Sequence, residues 1–391
     1  MGELVKALGI IAEYNPFHWG HAYQLAKARQ LAGDCPIIVL MSGNVVQRGE
    51  FAVLDKWTRA RLALSYGADV VIEAPITATL QGADYFASKH IQLLAKLGID
   101  AFLFGTEQAQ VSDLEALLDF QERHADALDD GIQKYLQKGH SYAASVELAM
   151  QAIYDAPANF QRDAPNHLLS LQYLRANRQL AKPLTPLSLQ RVQAFQGHKV
   201  LSGSQIRQAL SAGKLLEDSV PPETYQVLLD AALPQMEAYY PMLRYRVLTL
   251  SKTDLANMYG IREGIEARFM AACQEHTSFE AFTQYMISKR WTRASIQRLS
   301  MHVLLNHQLD TWQQADIDTK AKPALRILGM SQRGQAWLKH VDTEQVDLFS
   351  NLKQKHFPRY ELNYQADQVM QLGDWQSVPE QNRSRFPMII R

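Results

Sequence analysis

Apolar positions along the chain fall into two regimes. In the first half, short continuous apolar runs alternate with longer stretches whose apolar residues recur every three or four positions. That is the pattern of buried parallel strands separated by amphipathic helices. It predicts strands at residues 7–12, 37–41, 70–73 and 101–104, a later strand near 187–192, and helices over 21–32, 55–66 and 83–97. The alternation points to an α/β fold on a doubly wound, Rossmann-like parallel sheet. After Gly213 the pattern changes. Residues 215–222 carry an acidic pair and Pro221-Pro222, a linker composition. Beyond Glu223 strand signals fade, and helical periodicity runs through 224–232, 264–274, 278–287 and 292–306. The expected organisation is a sheet domain over 1–215 and a mainly helical domain over 221–391, since a chain of 391 residues exceeds the usual single core. The stretch around Phe357-Pro358-Arg359-Tyr360 and the closing Phe386-Pro387 predict no element.

Composition narrows the setting. Only Cys35 and Cys273 are present, which argues against a disulfide framework and fits a reducing cytoplasm. The opening apolar run has no basic region before it, ends at Glu13 and reads as a core strand rather than a signal. No segment approaches the length of a transmembrane helix, so no membrane partner is expected. Forty basic residues balance forty acidic ones, so a nucleic-acid partner has to be held by a local patch.

The chemistry concentrates where the first strand ends. The run to Glu13 is followed by Tyr14-Asn15-Pro16-Phe17-His18-Trp19-Gly20-His21. The strand breaks at a proline, and two histidines three positions apart open a helix around a glycine. A helix N-terminus presents unpaired N–H groups and partial positive charge, which suits a phosphate. Gly20 lets backbone approach a bulky anion, and imidazoles can donate to charge that develops during phosphoryl or nucleotidyl transfer. Two ordinary loop histidines or a metal pair are the other readings. No Cys, His or acidic residue lies nearby in a recognised ligand spacing, so no metal is expected.

Three further clusters carry polar detail. In Ser202-Gly203-Ser204-Gln205-Ile206-Arg207, a serine N-cap precedes an apolar periodic run, and Arg207 falls one turn in, where a guanidinium reaches phosphate oxygens. A capped surface helix with an ordinary arginine is the alternative. The block 42–50 followed by Asp55-Lys56-Trp57-Thr58-Arg59 gathers Asn44, Gln47, Arg48, Lys56 and Arg59 within one turn and helix, more than a connector requires. From 287 to 299, Lys289, Arg290, Arg293 and Arg298 occur in a stretch with no acid between Glu280 and Asp310. On a helix Lys289 and Arg293 would share a face, as would Arg290 and Arg293. Trp291 and Tyr285 are interleaved and suited to stacking on unpaired bases, although a solvated charged face has the same composition. Lys252, Arg262, Arg268, Lys353, Lys355 and Arg359 would widen such a surface.

The string Asn15-Pro16-Phe17-His18-Trp19-Gly20-His21 resembles the HxGH signature of the nucleotidyltransferase superfamily. The blocks Met41-Ser42-Gly43-Asn44-Val45-Val46-Gln47-Arg48-Gly49-Glu50, Asp55-Lys56-Trp57-Thr58-Arg59-Ala60, Phe104-Gly105-Thr106-Glu107 and Lys289-Arg290-Trp291-Thr292-Arg293 follow in the order of one bacterial family, the tRNA(Met) cytidine acetate ligases. The likeness covers most of the chain. It implies an HxGH nucleotidyltransferase fold with ATP held along Leu8, Gly9, Ile10, Ile11, Ala12, Glu13, Tyr14, Asn15, Pro16, Phe17, His18, Trp19, Gly20 and His21. His18 and His21 would stabilise the transition state at the α-phosphate. Gly105, Asn166 and Arg191 would contact ATP, and Ser204 and Arg207 would grip its β- and γ-phosphates. Without the resemblance, Gly105 is a turn glycine, Asn166 a helix cap and Arg191 a solvated strand end. Trp19 departs from the small polar residue common at its position.

The implied reaction activates acetate as acetyl-adenylate and transfers the acetyl group to N4 of the wobble cytidine of elongator tRNA(Met). Mg²⁺ would accompany ATP, the 42–59 block would shape the acyl pocket or meet the target nucleotide, and the basic segment would meet the tRNA. No protein partner is implied. Spacing and composition alone reach only nucleotidyl transfer at an ATP site with a basic helical appendage. They leave open a nucleotidyltransferase of coenzyme metabolism, for which the basic helical half is unnecessary. They also leave open a non-catalytic tRNA-binding protein, against which the intact His18, Gly20, His21, Ser204 and Arg207 speak.

Overall fold

In a computed structural model of the chain, the described residues are 6–107, 110–140, 142–154, 165–215, 217–231, 233–262, 264–373 and 378–390. Residues 216 and 232, in the expected linker and the helix after it, and the outer ends of both expected domains lie outside them. The strands are β1 (Leu8–Ala12), β2 (Ile37–Ser42), β3 (Val45–Val46), β4 (Glu50–Phe51), β5 (Val70–Ala74), β6 (Ala101–Thr106), β7 (Thr185–Gln190), β8 (Ala194–Phe195), β9 (His198–Lys199), β10 (Ala324–Ser331), β11 (Asp347–Phe349) and β12 (Met388–Ile390). The main sheet runs β11-β10-β5-β2-β1-β6-β7, with β12 also paired to β10. Every pairing is parallel except that of β10 with β5. Strands β2 and β5 are buried along their whole length, which is why residues 37–41 and 70–72 read as apolar runs.

This topology sets the place for a ligand. From β1 the chain proceeds outward through β2 and β5, then returns to lay β6 and β7 on the other side of β1. The order therefore reverses between β1 and β6. A crevice opens beyond the carboxyl ends of strands at such a point. The polar turn 13–21 and the Gly105-Thr106 strand end both lie there.

The five strands and three helices expected in the first half are present within a few residues of their predicted ends. The helical region follows as expected, with helices at Pro222–Leu229, Met236–Thr249, Ile265–Glu275, Phe279–Met286, Arg293–Leu304 and Leu309–Ala321. It has its own apolar core, which takes in Val45 and Phe51 from the β3–β4 hairpin. The chain then returns to the main sheet as β10, β11 and β12, around the Phe357–Gly373 helix. So the sheet crosses the change of composition at 215–221. Strand β10 was not predicted because Arg326 interrupts its apolar run. Its two terminal guanidinium nitrogens find partners only in three dimensions, in the Asn382 side chain at 2.7 Å and the carbonyls of Gln381, Asn382 and Arg385.

Candidate active site

His18 and His21 build the centre of the crevice. His18 is the N-cap of the Trp19–Ala32 helix: its Nδ1 accepts the Gly20 N–H at 3.0 Å, and His21 Nδ1 accepts the His18 N–H at 3.2 Å. The two rings stack with centroids 3.7 Å apart. This reciprocal cap has a chemical consequence. A neutral imidazole whose Nδ1 accepts must carry its proton on Nε2, so both histidines are held as Nε2–H donors. Burial, then the charges of Arg191 and Arg207, push His18 down to about 3. Burial, then His18 and Arg191, hold His21 well below the usual imidazole range. Two neutral donors thus stand side by side, pre-oriented for an anion.

A cleft of about 660 Å³ runs past them, and a second pocket of about 180 Å³ shares the wall formed by His18, His21, Asn166, Leu169, Tyr173 and Arg191. The larger cleft is closed on one side by the N-terminus of the Gly203–Ser211 helix, where Ser202, Gly203, Ser204 and Arg207 line it. Ser202 caps that helix reciprocally with Gln205. Arg207 Nη1 donates to the Asn15 carbonyl at 2.8 Å, and its Nε lies 3.5 Å from Glu50. This arginine binds the turn after β1 to the second helix, which brings two N-termini to one cleft. At Gly203 an added Cβ would stand 3.0 Å from the Asn15 carbonyl, so the close approach of turn and helix favours glycine.

The smaller pocket is bounded by Phe104, Gly105, Leu189, Gln190 and Arg191 at the ends of β6 and β7. The Arg191 N–H bonds the Thr106 carbonyl at 2.9 Å and extends the ladder past the strand. Glu107 caps the Pro165–Arg178 helix, taking the His167 N–H at 3.1 Å and the Asn166 side-chain amide. Gly105, Asn166 and Arg191, separated by some 86 residues of sequence, therefore share one wall. A Cβ at Gly105 would meet Arg191 Cγ at an ordinary 3.9 Å, so what that site offers is room and backbone, not a strained turn.

The remaining expected residues divide. Of the run 8–21, Ile11, Ala12, Glu13, Tyr14, Asn15, His18, Gly20 and His21 line the two compartments. Leu8, Gly9 and Ile10 lie within the sheet, Pro16 and Phe17 in the core behind the turn, and Trp19 packs on His198 with ring centroids 4.2 Å apart. Gln47 and Arg48 do line the cleft, carried there by the β3–β4 hairpin. Asn44, Lys56 and Arg59 do not. Lys56 is wholly buried, 2.6 Å from Asp367, 3.0 Å from Glu73 and 2.8 Å from the Tyr360 hydroxyl. Asn44 bonds Asp367 and Gln381, and Arg59 bonds the carbonyls of Glu13, Ser42, Gly43 and Leu54. These three hold the cleft's floor together from behind, because buried charge and amide groups need partners that the cleft side lacks.

The basic segment is also corrected. Residues 287–292 are a turn, not helix: the Ser288 and Trp291 backbones bond each other at 3.0 and 3.2 Å, and Thr292 caps the helix that starts at Arg293. Lys289, Arg290 and Arg293 therefore share no helical face. Arg293 pairs with Glu280 through two hydrogen bonds. Trp291 packs on the helical core under Arg262, and Tyr285 under Arg268. Lys252 lies 3.7 Å from Glu266, while Arg359 pairs with Asp347, beyond Lys353 and Lys355. Arg298 lies behind the cleft hairpin, where a Cβ on Gly49 (φ +81°) would come within 2.5 Å of its backbone nitrogen. The basic helix thus abuts the rim that carries Arg48.

Comparison with known proteins gives the family. The HIGH Nucleotidyl Transferase family model matches residues 5–385. A tRNA(Met) cytidine acetate ligase of Latilactobacillus sakei is 36% identical over 98% of this chain and 97% of that protein. The protein of that name from Streptococcus suis is 34% identical over 98% and 99%. The chain belongs to the tRNA(Met) cytidine acetate ligase family. Thermotoga maritima TmcAL, solved bound with α-thio ATP, shares the fold with a TM-score of 0.84 at 24% identity, covering 99% of this chain and 100% of that one.

For this family member, sequence reasoning missed Tyr173, Leu169, Gln24 and Glu50, all in the cleft wall. The first three are single positions on helices whose periodicity reports a buried face without saying what it faces. Glu107 had a signal: an acid directly after a strand end is a cap acceptor for whatever helix arrives there.

Proposed function

We propose that this protein is an ATP-dependent ligase that activates acetate as acetyl-adenylate and acetylates N4 of the wobble cytidine of elongator tRNA(Met), yielding N4-acetylcytidine, AMP and pyrophosphate. The observation that carries the mechanism is the stacked His18–His21 pair, both held as Nε2–H donors where the strand order reverses. Adenosine fits the pocket at the ends of β6 and β7, beside Gly105, Asn166 and Arg191. The triphosphate runs past the imidazoles toward Ser204 and Arg207. Acetate attacks the α-phosphorus, and negative charge grows on the oxygens facing His18 and His21. Pyrophosphate leaves toward the helix N-terminus at Ser202. Adenylation suits acetate because a phosphate monoester is a far better leaving group than hydroxide.

Among the described residues no three His, Cys, Asp or Glu side chains are grouped to hold a metal ion. Mg²⁺ would enter on the triphosphate, whose oxygens it prefers. Lys289, Arg290, Trp291, Arg293 and Arg298 form the proposed tRNA side, next to the rim at Gly49. Among the described residues no helix is long and apolar enough to cross a membrane, and a tRNA substrate calls for the cytoplasm.

The test is mass spectrometry of tRNA(Met) incubated with the protein, ATP and labelled acetate, together with acetate-dependent exchange of pyrophosphate into ATP. Labelled N4-acetylcytidine and exchange that requires acetate are expected. Exchange that needs a phosphorylated acceptor instead would identify a coenzyme nucleotidyltransferase, and none at all would leave only a binding protein.

A further inference from the structure

The larger cleft, of about 660 Å³, is not confined to the imidazole corner. Beyond the imidazoles it continues between the hairpin carrying Gln47 and Arg48 and the start of the Ala83–Lys96 helix, which contributes Ala83 and Phe86. A flat base entering there meets Glu13 at the carboxyl end of β1. The Gln47 N–H donates to Glu13 Oε1 at 2.7 Å, and Oε2 has no hydrogen-bond partner among the described residues.

We propose that Glu13 is the proton acceptor of the acyl-transfer step, its Oε2 taking the proton from the exocyclic amine of the incoming cytosine. The inference rests on the ligase reading above. The amine nitrogen forms a bond to the acyl carbon, and the acyl carbon–oxygen bond to phosphate breaks with its electron pair leaving on AMP. The amine proton ends on Glu13. The cytosine N4 lone pair is delocalised into the ring, so the amine turns acidic only as the new bond forms, and a base must be in contact at that moment.

The other groups in the cleft are less suited to take that proton. His18 and His21 each spend Nδ1 on a backbone amide and carry a proton on Nε2, so both only donate. Glu50, the cleft's other carboxylate, takes both the Asn15 amide at 3.4 Å and the Arg207 guanidinium at 3.5 Å on Oε1, so it is tied to a cation, whereas Glu13 holds only a backbone amide among the described residues. Burial holds the Tyr173 phenol above its ordinary range, so it stays protonated. The charged groups facing Glu13 are Glu50 from β4, Arg59 from the Lys56–Ser65 helix and Arg207 from the Gly203–Ser211 helix. Burial, reinforced by Glu50, outweighs the Gln47 N–H and the two arginines and holds the Glu13 carboxyl above the usual carboxylate range, which strengthens it as a base.

The two half-reactions of the full-length protein test this. Glu13→Gln keeps an oxygen for the Gln47 N–H. Its transfer of acetyl from prepared acetyl-AMP to tRNA(Met) should fall about 100-fold or more, and its acetate-dependent exchange should fall at least tenfold less than that. Wild-type transfer should rise with pH through an inflection above the ordinary glutamate range, and that inflection should vanish in the variant. Glu13→Asp should recover part of the transfer rate and show the inflection again. An equal fall in both half-reactions, or transfer that is unaffected, overturns the proposal. Absence of acetate-dependent exchange in the wild type would instead overturn the ligase reading, and the role of Glu13 with it.

Discussion

The Lys56 ammonium lies 2.6 Å from the Asp367 carboxylate, 311 residues away in the chain, and neither side chain reaches solvent. With Glu73, Tyr360, Asn363 and Asn382 they form a buried polar cluster that fastens the Phe357–Gly373 helix to the sheet beneath the cleft. Lys56→Met leaves two carboxylates without their cation and should cost about 3–5 kcal/mol. Asp367→Asn should cost less, because Glu73 still lies 3.0 Å from the ammonium. Denaturant titration checks the ranking, and a reversed order would place the weight of the cluster elsewhere.

His18 caps a helix and, in the proposed reaction, donates to phosphate, and the two tasks are separable. His18→Ala loses both: about 1 kcal/mol of stability and about 100-fold to 1,000-fold in adenylation. His18→Asn keeps a cap acceptor, so stability should return while acetate-dependent exchange stays low. An asparagine variant that exchanges like wild type would show that the cap alone matters.

Acid should weaken the fold early. Burial pushes His18 and His307 down to about 3 and His90 to about 4, from an ordinary 6.5. Below pH 6.5 the unfolded chain binds protons that the folded chain refuses, so this stability is complete above that pH and declines as pH falls toward those values. Glu13 and Asp367, held high, act in the opposite sense. The histidines should prevail. Denaturation midpoints that stay level or rise between about pH 7 and 5 would contradict the expectation.

Lys289 and Arg290 are exposed on the turn before the Arg293–Leu304 helix. Replacing both with alanine should weaken tRNA binding and flatten the dependence of log affinity on log salt by up to about 2. Arg293→Ala should matter less than the pair, since Glu280 already takes much of its charge. Nitrocellulose retention of labelled tRNA across a salt series measures both. Unchanged slopes would move the RNA surface away from this turn.

How much could be read in advance follows from the range of the interactions involved. The β1 run, the turn at Asn15-Pro16, the helix opened by His18 and His21 and the serine cap at Ser202 all depend on neighbours within a few positions. They were legible, and with them the imidazole centre of the cleft. Lys289–Arg293 misled because charge spacing suits a helix equally well whether or not Ser288 and Trp291 close a turn.

Amino-acid order alone determined the strand–helix alternation, the two helix N-termini and the imidazole pair, since propensity, capping and apolar period act locally. Tertiary structure alone decided that Asn44, Lys56 and Arg59 face the interior, that Arg326 sits in a strand, and that Glu13 meets the cleft with one oxygen unbound among the described residues. A polar side chain goes where its partner is, and here the partners stand as much as 337 residues away.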